Sequence, residues 1–182
     1  MSVFTNPASR AAGDAEAYVS AVLGLLGDRD PLTILRDTRG ALARGIHELS
    51  AEQLRRPERP GKWSIAAVLQ HLADAELVWA WRMRLILAQD RPVITGYDQD
   101  LWADRLHYDR ASPADAIDMF DVLRGSNLRL LAGASPADLD RVGVHSERGE
   151  ESLRHTIKLY AGHDLLHLNQ IERIRAVVGP PL

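Results

Sequence analysis

Apolar residues recur with a helical period through most of the chain, and capping residues mark where each segment starts and stops. Asp30-Pro31 opens one segment, with Leu32, Leu35, Leu42, Ile46 and Leu49 on its inner side. Ser64 caps a second, over roughly 64–89, whose stripe is Ile65, Val68, Leu69, Leu72, Trp79, Met83, Ile86 and Leu87. Ser112-Pro113 with Asp115 starts a third that runs to about Leu131 and ends near Gly133, striped by Ile117, Phe120, Leu128 and Leu131. A fourth runs from about Ser152 to Val178 and stops before Gly179-Pro180-Pro181, with Leu153, Ile157, Tyr160, Leu168, Ile171 and Ile174 aligned. A shorter helix over about 14–26 precedes them and stops at Gly27. Strand signals are poor: alternating β-branched runs are missing, while Ala, Leu and Arg are plentiful, which favours helix. The connection after Arg91-Pro92, about 20 residues with Tyr97, Asp98, Trp102, His107 and Tyr108, is long for a bundle and is either packed or functional. The pattern predicts an all-α four-helix bundle with an extra short N-terminal helix and one long connecting loop. It forms a single domain over 1–182 with its core at about 30–178.

Three positions break the stripes. At about 100° per residue, Glu76 falls in the middle of the second stripe, Arg124 at the centre of the third and Asp164 in the middle of the fourth. An unpaired charge in a core costs several kcal/mol or more, on the order of a whole domain's stability. Three such charges on three helices therefore meet each other, as a buried ion network, or meet a metal ion.

Composition narrows the chemistry. The 182 residues carry 22 basic and 25 acidic side chains, a formal net charge of −3 that supplies no basic field for nucleic acid. Cysteine is absent, which removes disulfides, thiolate metal sites and a cysteine nucleophile. The apolar run Tyr18–Leu26 is short and follows Asp14 and Glu16, unlike a secretion signal, and no stretch reaches the roughly 20 apolar residues of a membrane span. The chain reads as cytoplasmic, with no membrane partner. Any metal must be held by His, Asp or Glu.

His163 and His167 stand four residues apart on the fourth helix, so their imidazoles share one face, one turn apart. A third ligand must come from another helix. His71, on the edge of the second stripe near Glu76, is one candidate beside His47, His107, His145 and His155. Three neutral imidazoles leave open positions on a divalent ion, the pattern of catalytic sites, and suit zinc, nickel or iron(II). Glu76 and Asp164 are candidates to accept imidazole N–H groups or to act as a general base, with Arg124 as their counter-charge. No His-Glu-x-x-His, no Glu-x-x-His pair, no phosphate loop and no dinucleotide fingerprint is present.

Two blocks carry a family resemblance: Gly61-Lys62-Trp63-Ser64-Ile65 continuing to His71-Leu72-Ala73-Asp74-Ala75-Glu76, and Gly149-Glu150 followed by His163-Asp164-Leu165-Leu166-His167-Leu168-Asn169-Gln170-Ile171. Together, over about Leu32 to Val178, they resemble the DinB/YfiT-like superfamily of metal-dependent bundles. The resemblance implies a metal held by His71, His163 and His167, and a homodimer. It also implies an enzyme acting on a small molecule. Members include low-molecular-weight thiol S-transferases and hydrolases. The sequence reading puts first a transferase with a thiol co-substrate, then a metal-dependent hydrolase. A non-catalytic, stress-related protein that binds metal or a small molecule is the third reading. Arg82, Arg84, Arg105 and Arg124 are candidates to meet substrate carboxylates.

Overall fold

A computed structural model of the protein describes residues 12–179, so the Pro180-Pro181 stop and the first 11 residues of the expected domain lie outside it. Among the described residues the order is α1 (Ala12–Leu26), α2 (Pro31–Ile46), α3 (Ala51–Arg55), α4 (Ile65–Ala88), β1 (Val93–Ile94), α5 (Gln99–Arg105), a 3-10 turn (Tyr108–Arg110), α6 (Pro113–Ala132), α7 (Pro136–Leu139), β2 (Val142–His145), β3 (Gly149–Ser152) and α8 (Leu153–Val178). The expected caps form. Asp30 accepts from Thr33 N at 2.8 Å, Ser64 from Ala67 N at 3.2 Å, Ser112 from Asp115 N at 3.3 Å and Ser152 from His155 N at 3.1 Å.

Helices α2, α4, α6 and α8 form the four-helix bundle, in which α8 packs on α2 and α4, and α4 on α6. The N-terminal helix α1 adds itself along α8. Gly162 makes that contact possible: a Cβ there would overlap the Val22 backbone of α1. None of the described helices is long and apolar enough to cross a membrane.

The core is divided along its length. One apolar cluster holds Leu35, Trp79, Met83, Ile86, Leu131 and Ile157; the other holds Leu42, Ile65, Leu69, Phe120, Ile171 and Ile174. On every bundle helix, buried polar residues fall between the two sets: Thr38 on α2, His71 and Glu76 on α4, Arg124 and Asn127 on α6, and His163, Asp164 and His167 on α8. A polar layer thus crosses the bundle between two apolar halves.

The mostly helical bundle also carries three short strands, for which the sequence signals are poor. β1 pairs parallel with β2, Val93 facing Val144, and β2 pairs antiparallel with β3, Val142 facing Ser152. These strands are two to four residues long, too short for an alternating pattern to stand out. Gly143 lets β2 press on the bundle, since a Cβ there would lie 2.9 Å from side-chain atoms of both Ile86 and Ile94. The long connection is packed, with Tyr108 buried and its hydroxyl donating to Asp74 at 2.5 Å.

Candidate metal centre

α4 and α8 bring His71, His163 and His167 together. Each offers one ring nitrogen, and the three nitrogens lie within 4.8 Å of one another. All three residues are buried. His71 Nε2 and His163 Nε2 are 3.1 Å apart. Trp63 packs on His71 with ring centroids 5.0 Å apart, and Trp79 meets the His163 ring edge-on at 6.3 Å. His145, His155, His107 and His47 stand outside the cluster.

Burial governs the protonation of these rings. Desolvation, then the neighbouring His167, holds His71 well below the ordinary histidine range. Desolvation, the other two imidazoles, Arg124 and Arg82 do the same to His163. His167 is pushed down to about 4 by desolvation, against a hydrogen bond to Gln170 that favours the charged form. At neutral pH the cluster presents uncharged imidazoles, the form that ligates a metal. His167 Nδ1 lies 2.8 Å from Gln170 Oε1, so Nδ1 carries the proton and Nε2 keeps its lone pair.

These residues fit a divalent ion. His71 Nδ1 and His163 Nδ1 are buried with no hydrogen-bond partner, and the close Nε2 pair can share only one proton. Leaving buried nitrogens unpaired costs about 1–3 kcal/mol each. Such an arrangement is poor as packing and suitable as a ligand set, with no thiolate and no carboxylate among the donors.

The three charged residues of the stripes converge on one another. Arg124 donates from Nε and Nη2 to Glu76 Oε1, at 3.1 and 2.6 Å, and from Nη1 to Leu35 O at 2.6 Å. Its Nη2 also meets Asp164 Oδ2 at 2.8 Å. Tyr160 OH donates to Glu76 Oε1, Asn127 Nδ2 to Glu76 Oε2 at 3.1 Å, and Thr38 Oγ1 to Asp164 Oδ2 at 2.7 Å. Phe120 and Tyr160 stack on the guanidinium, 4.5 and 4.8 Å from ring centroid to Cζ. Asp164 is pushed up to about 6 by desolvation, with Arg124 opposing, and is still ionised at neutral pH.

Glu76 and Asp164 therefore meet Arg124 rather than the imidazoles. The acceptor at His167 is Gln170, which lies three residues further along α8 and so on the same face. Of the other candidate arginines, Arg84 donates to Asn127 Oδ1 and Ser126 Oγ, both at 3.1 Å, and Arg105 is exposed beside Asp104. Arg82 lines a cleft together with His163.

Comparison with known proteins agrees with this geometry. The DinB superfamily matches residues 34–171. A Bacillus mycoides protein named "Putative metal-dependent hydrolase" is 33% identical over 142 residues, 78% of this chain and 81% of the relative. An Oceanobacillus iheyensis protein of the same name is 32% identical over 138 residues, 75% of this chain and 79% of that one. In structure the chain is similar to YfiT from Bacillus subtilis, described as "a probable metal-dependent hydrolase with an unusual four-helix bundle topology". The TM-score is 0.76 at 24% identity, covering 83% of this chain and 87% of YfiT. A bundle of this topology, matched along most of its length by sequence and by fold, is a member of the DinB superfamily.

Proposed function

We propose that this protein is a metal-dependent hydrolase whose single divalent ion is held by His71, His163 and His167. The observation that carries the reading is the convergence of three buried, neutral imidazoles, two of which keep an Nδ1 with no hydrogen-bond partner among the described residues. A divalent ion there supplies Lewis acidity, polarising an ester or amide carbonyl and acidifying water.

The chain's own residues prepare that chemistry. α4 and α8 fix the three rings on rigid elements, and Gln170 sets the tautomer of His167. Trp63 and Trp79 wall the cluster and keep bulk water from the rings. Arg124 holds Glu76 and Asp164 away from the imidazoles, so the ligand set is neutral and leaves the ion's positive charge undiminished. Hydrolysis displaces thiol transfer as the leading reading, because the relatives bear the hydrolase name and no feature of the described site marks a thiol.

The test uses untagged full-length protein. Its metal content is measured, the metal is removed by chelation, and zinc, nickel or iron(II) is restored singly while hydrolysis of phenyl acetate and related esters and amides is followed. Metal-dependent turnover without any thiol is expected. Protein that neither carries nor takes up a divalent ion overturns the metal reading, and turnover that requires added thiol overturns the hydrolase reading.

A further inference from the structure

The small sheet that the sequence did not announce builds a second feature beside the histidines. A narrow cleft that opens to solvent is lined by Tyr18 of α1, Trp79 and Arg82 of α4, Tyr97, His145 at the end of β2, and His163 of α8. It therefore reaches the metal cluster on one side and the sheet on the other. The Trp79 ring lies between the two, 5.5 Å from the Arg82 guanidinium carbon and 6.3 Å from the His163 ring.

Arg82 is anomalous for a buried cation. It is 7% exposed. Its hydrogen bond goes to a neutral acceptor, Thr95 O, at 2.9 Å, and no carboxylate among the described residues forms an ion pair with it. Its other contacts are the faces of Trp79 and Tyr97. The nearby acid Glu151 is already engaged by Arg148, at 2.5 and 2.8 Å. Half-buried Glu147 also lines the cleft but lies against Gly96. A buried guanidinium without a counter-ion is costly, and one hydrogen bond leaves most of its five N–H donors unused.

His145 shows the same deficit. It is 2% exposed, and its Nδ1 accepts from Glu147 N at 3.2 Å. The ring proton therefore sits on Nε2, which is buried without a partner. Among the described residues, the cleft thus presents a cationic fork with one neutral acceptor and no carboxylate, and a neutral N–H donor with no acceptor. An acceptor-only anion complements that set, and a planar carboxylate matches the guanidinium fork.

We infer that this cleft is a carboxylate-binding subsite in which Arg82 and His145 hold the anionic end of a small substrate, with its scissile ester or amide group placed toward His163. The inference rests on the hydrolase reading for the reaction, but the binding itself needs no metal. The aromatic walls of Trp79, Tyr97 and Tyr18 suit a substrate whose carboxylate is joined to a short apolar or aromatic body.

Binding of benzoate to the chelator-treated full-length protein, measured by calorimetry, tests the subsite with benzamide as the uncharged control. Benzoate binding is expected, with benzamide at least tenfold weaker. Arg82→Gln should weaken benzoate at least tenfold and His145→Gln several-fold, while Arg105→Gln on the surface leaves it unchanged. Should Arg82→Gln fail to fold, Arg82→Lys decides the matter, since it keeps the charge and loses the fork; a several-fold loss is expected. Equal binding of benzoate and benzamide, undiminished affinity in the folded Arg82 variant, or tighter Arg82-dependent binding of inorganic phosphate than of benzoate overturns the proposal. In the zinc-loaded protein, a preference for 4-acetoxybenzoate over phenyl acetate should collapse on Arg82→Gln. Benzoate binding without hydrolysis leaves the subsite standing and removes the hydrolase reading. Hydrolysis indifferent to Arg82 does the reverse.

Discussion

The polar layer of the bundle has two halves that differ in how their groups are satisfied. Around Arg124, each donor nitrogen finds an acceptor, and the two carboxylates share one guanidinium with Tyr160, Asn127 and Thr38 in support, leaving one oxygen, Asp164 Oδ1, without a partner among the described residues. Around the histidines, His71 Nδ1, His163 Nδ1 and His145 Nε2 lack partners among the described residues, the Nε2 atoms of His71 and His163 face each other, and Arg82 meets only a neutral carbonyl. Both halves are buried to a similar degree, so burial alone does not tell structure from site. Satisfaction does. A network that closes on itself at all but one atom organises the fold, and one left largely open is shaped for something that is not protein.

The largest effect should come from opening the closed half. Arg124→Ala strands two buried carboxylates and should cost about 3–5 kcal/mol, lowering the thermal midpoint by roughly 10 °C in a chain of this size. A loss no greater than that of an average core substitution would mean that the network is not closed.

Acid should expose the open half next. His145 and His167 are each held to about 4, whereas unfolded histidine titrates near 6.5. Below about pH 6.5 the unfolded chain takes up protons that the folded metal-free chain refuses, so stability is intact above that pH and falls toward pH 4. Discounted for solvent screening, His145 contributes about 2 kcal/mol of this. Asp164, held up to about 6, works in the opposite sense between about 6 and 4 and softens the fall. Denaturant titrations of metal-free protein at pH 7.5 and 5 check the sign, and His145→Gln should flatten the slope.

A smaller effect separates function from fold. His163→Gln should weaken zinc binding by roughly 100-fold, about 2.7 kcal/mol, while the metal-free midpoint moves little, because among the described residues the ring's one polar contact is to His71 Nε2 and its Nδ1 has no partner. Metal titration and melting on the same sample read both. The mildest test is Gln170→Leu, which leaves His167 Nδ1 without its acceptor. A loss of metal affinity of about tenfold is expected, at the low end for a group that orients a ligand, with the fold retained.

Much of this was legible in the chain. Ser64, Ser112 and Ser152 cap the helices where the sequence places them, and Glu76, Arg124 and Asp164 are buried on the stripes that periodicity assigned. α3, α5, α7 and the three strands were not legible. Each is at most seven residues long, and such pieces form through tertiary packing, as β2 does against Ile86 and Ile94. His145, in the sequence only one of several candidate third ligands, gains its interest from strand pairing that carries it to the cleft.

The sequence by itself determined that four long helices form and that charged side chains face the core, because helical phase is a local property repeated every 3.6 residues. Only the tertiary structure decided the partners. It gave Glu76 and Asp164 to Arg124, gave His167 Nδ1 to Gln170, and left Arg82 without a counter-ion among the described residues. Those choices depend on how far each helix is rotated and shifted against its neighbours, and a displacement of one residue along an axis, about 1.5 Å, is enough to exchange a hydrogen-bond partner for a gap.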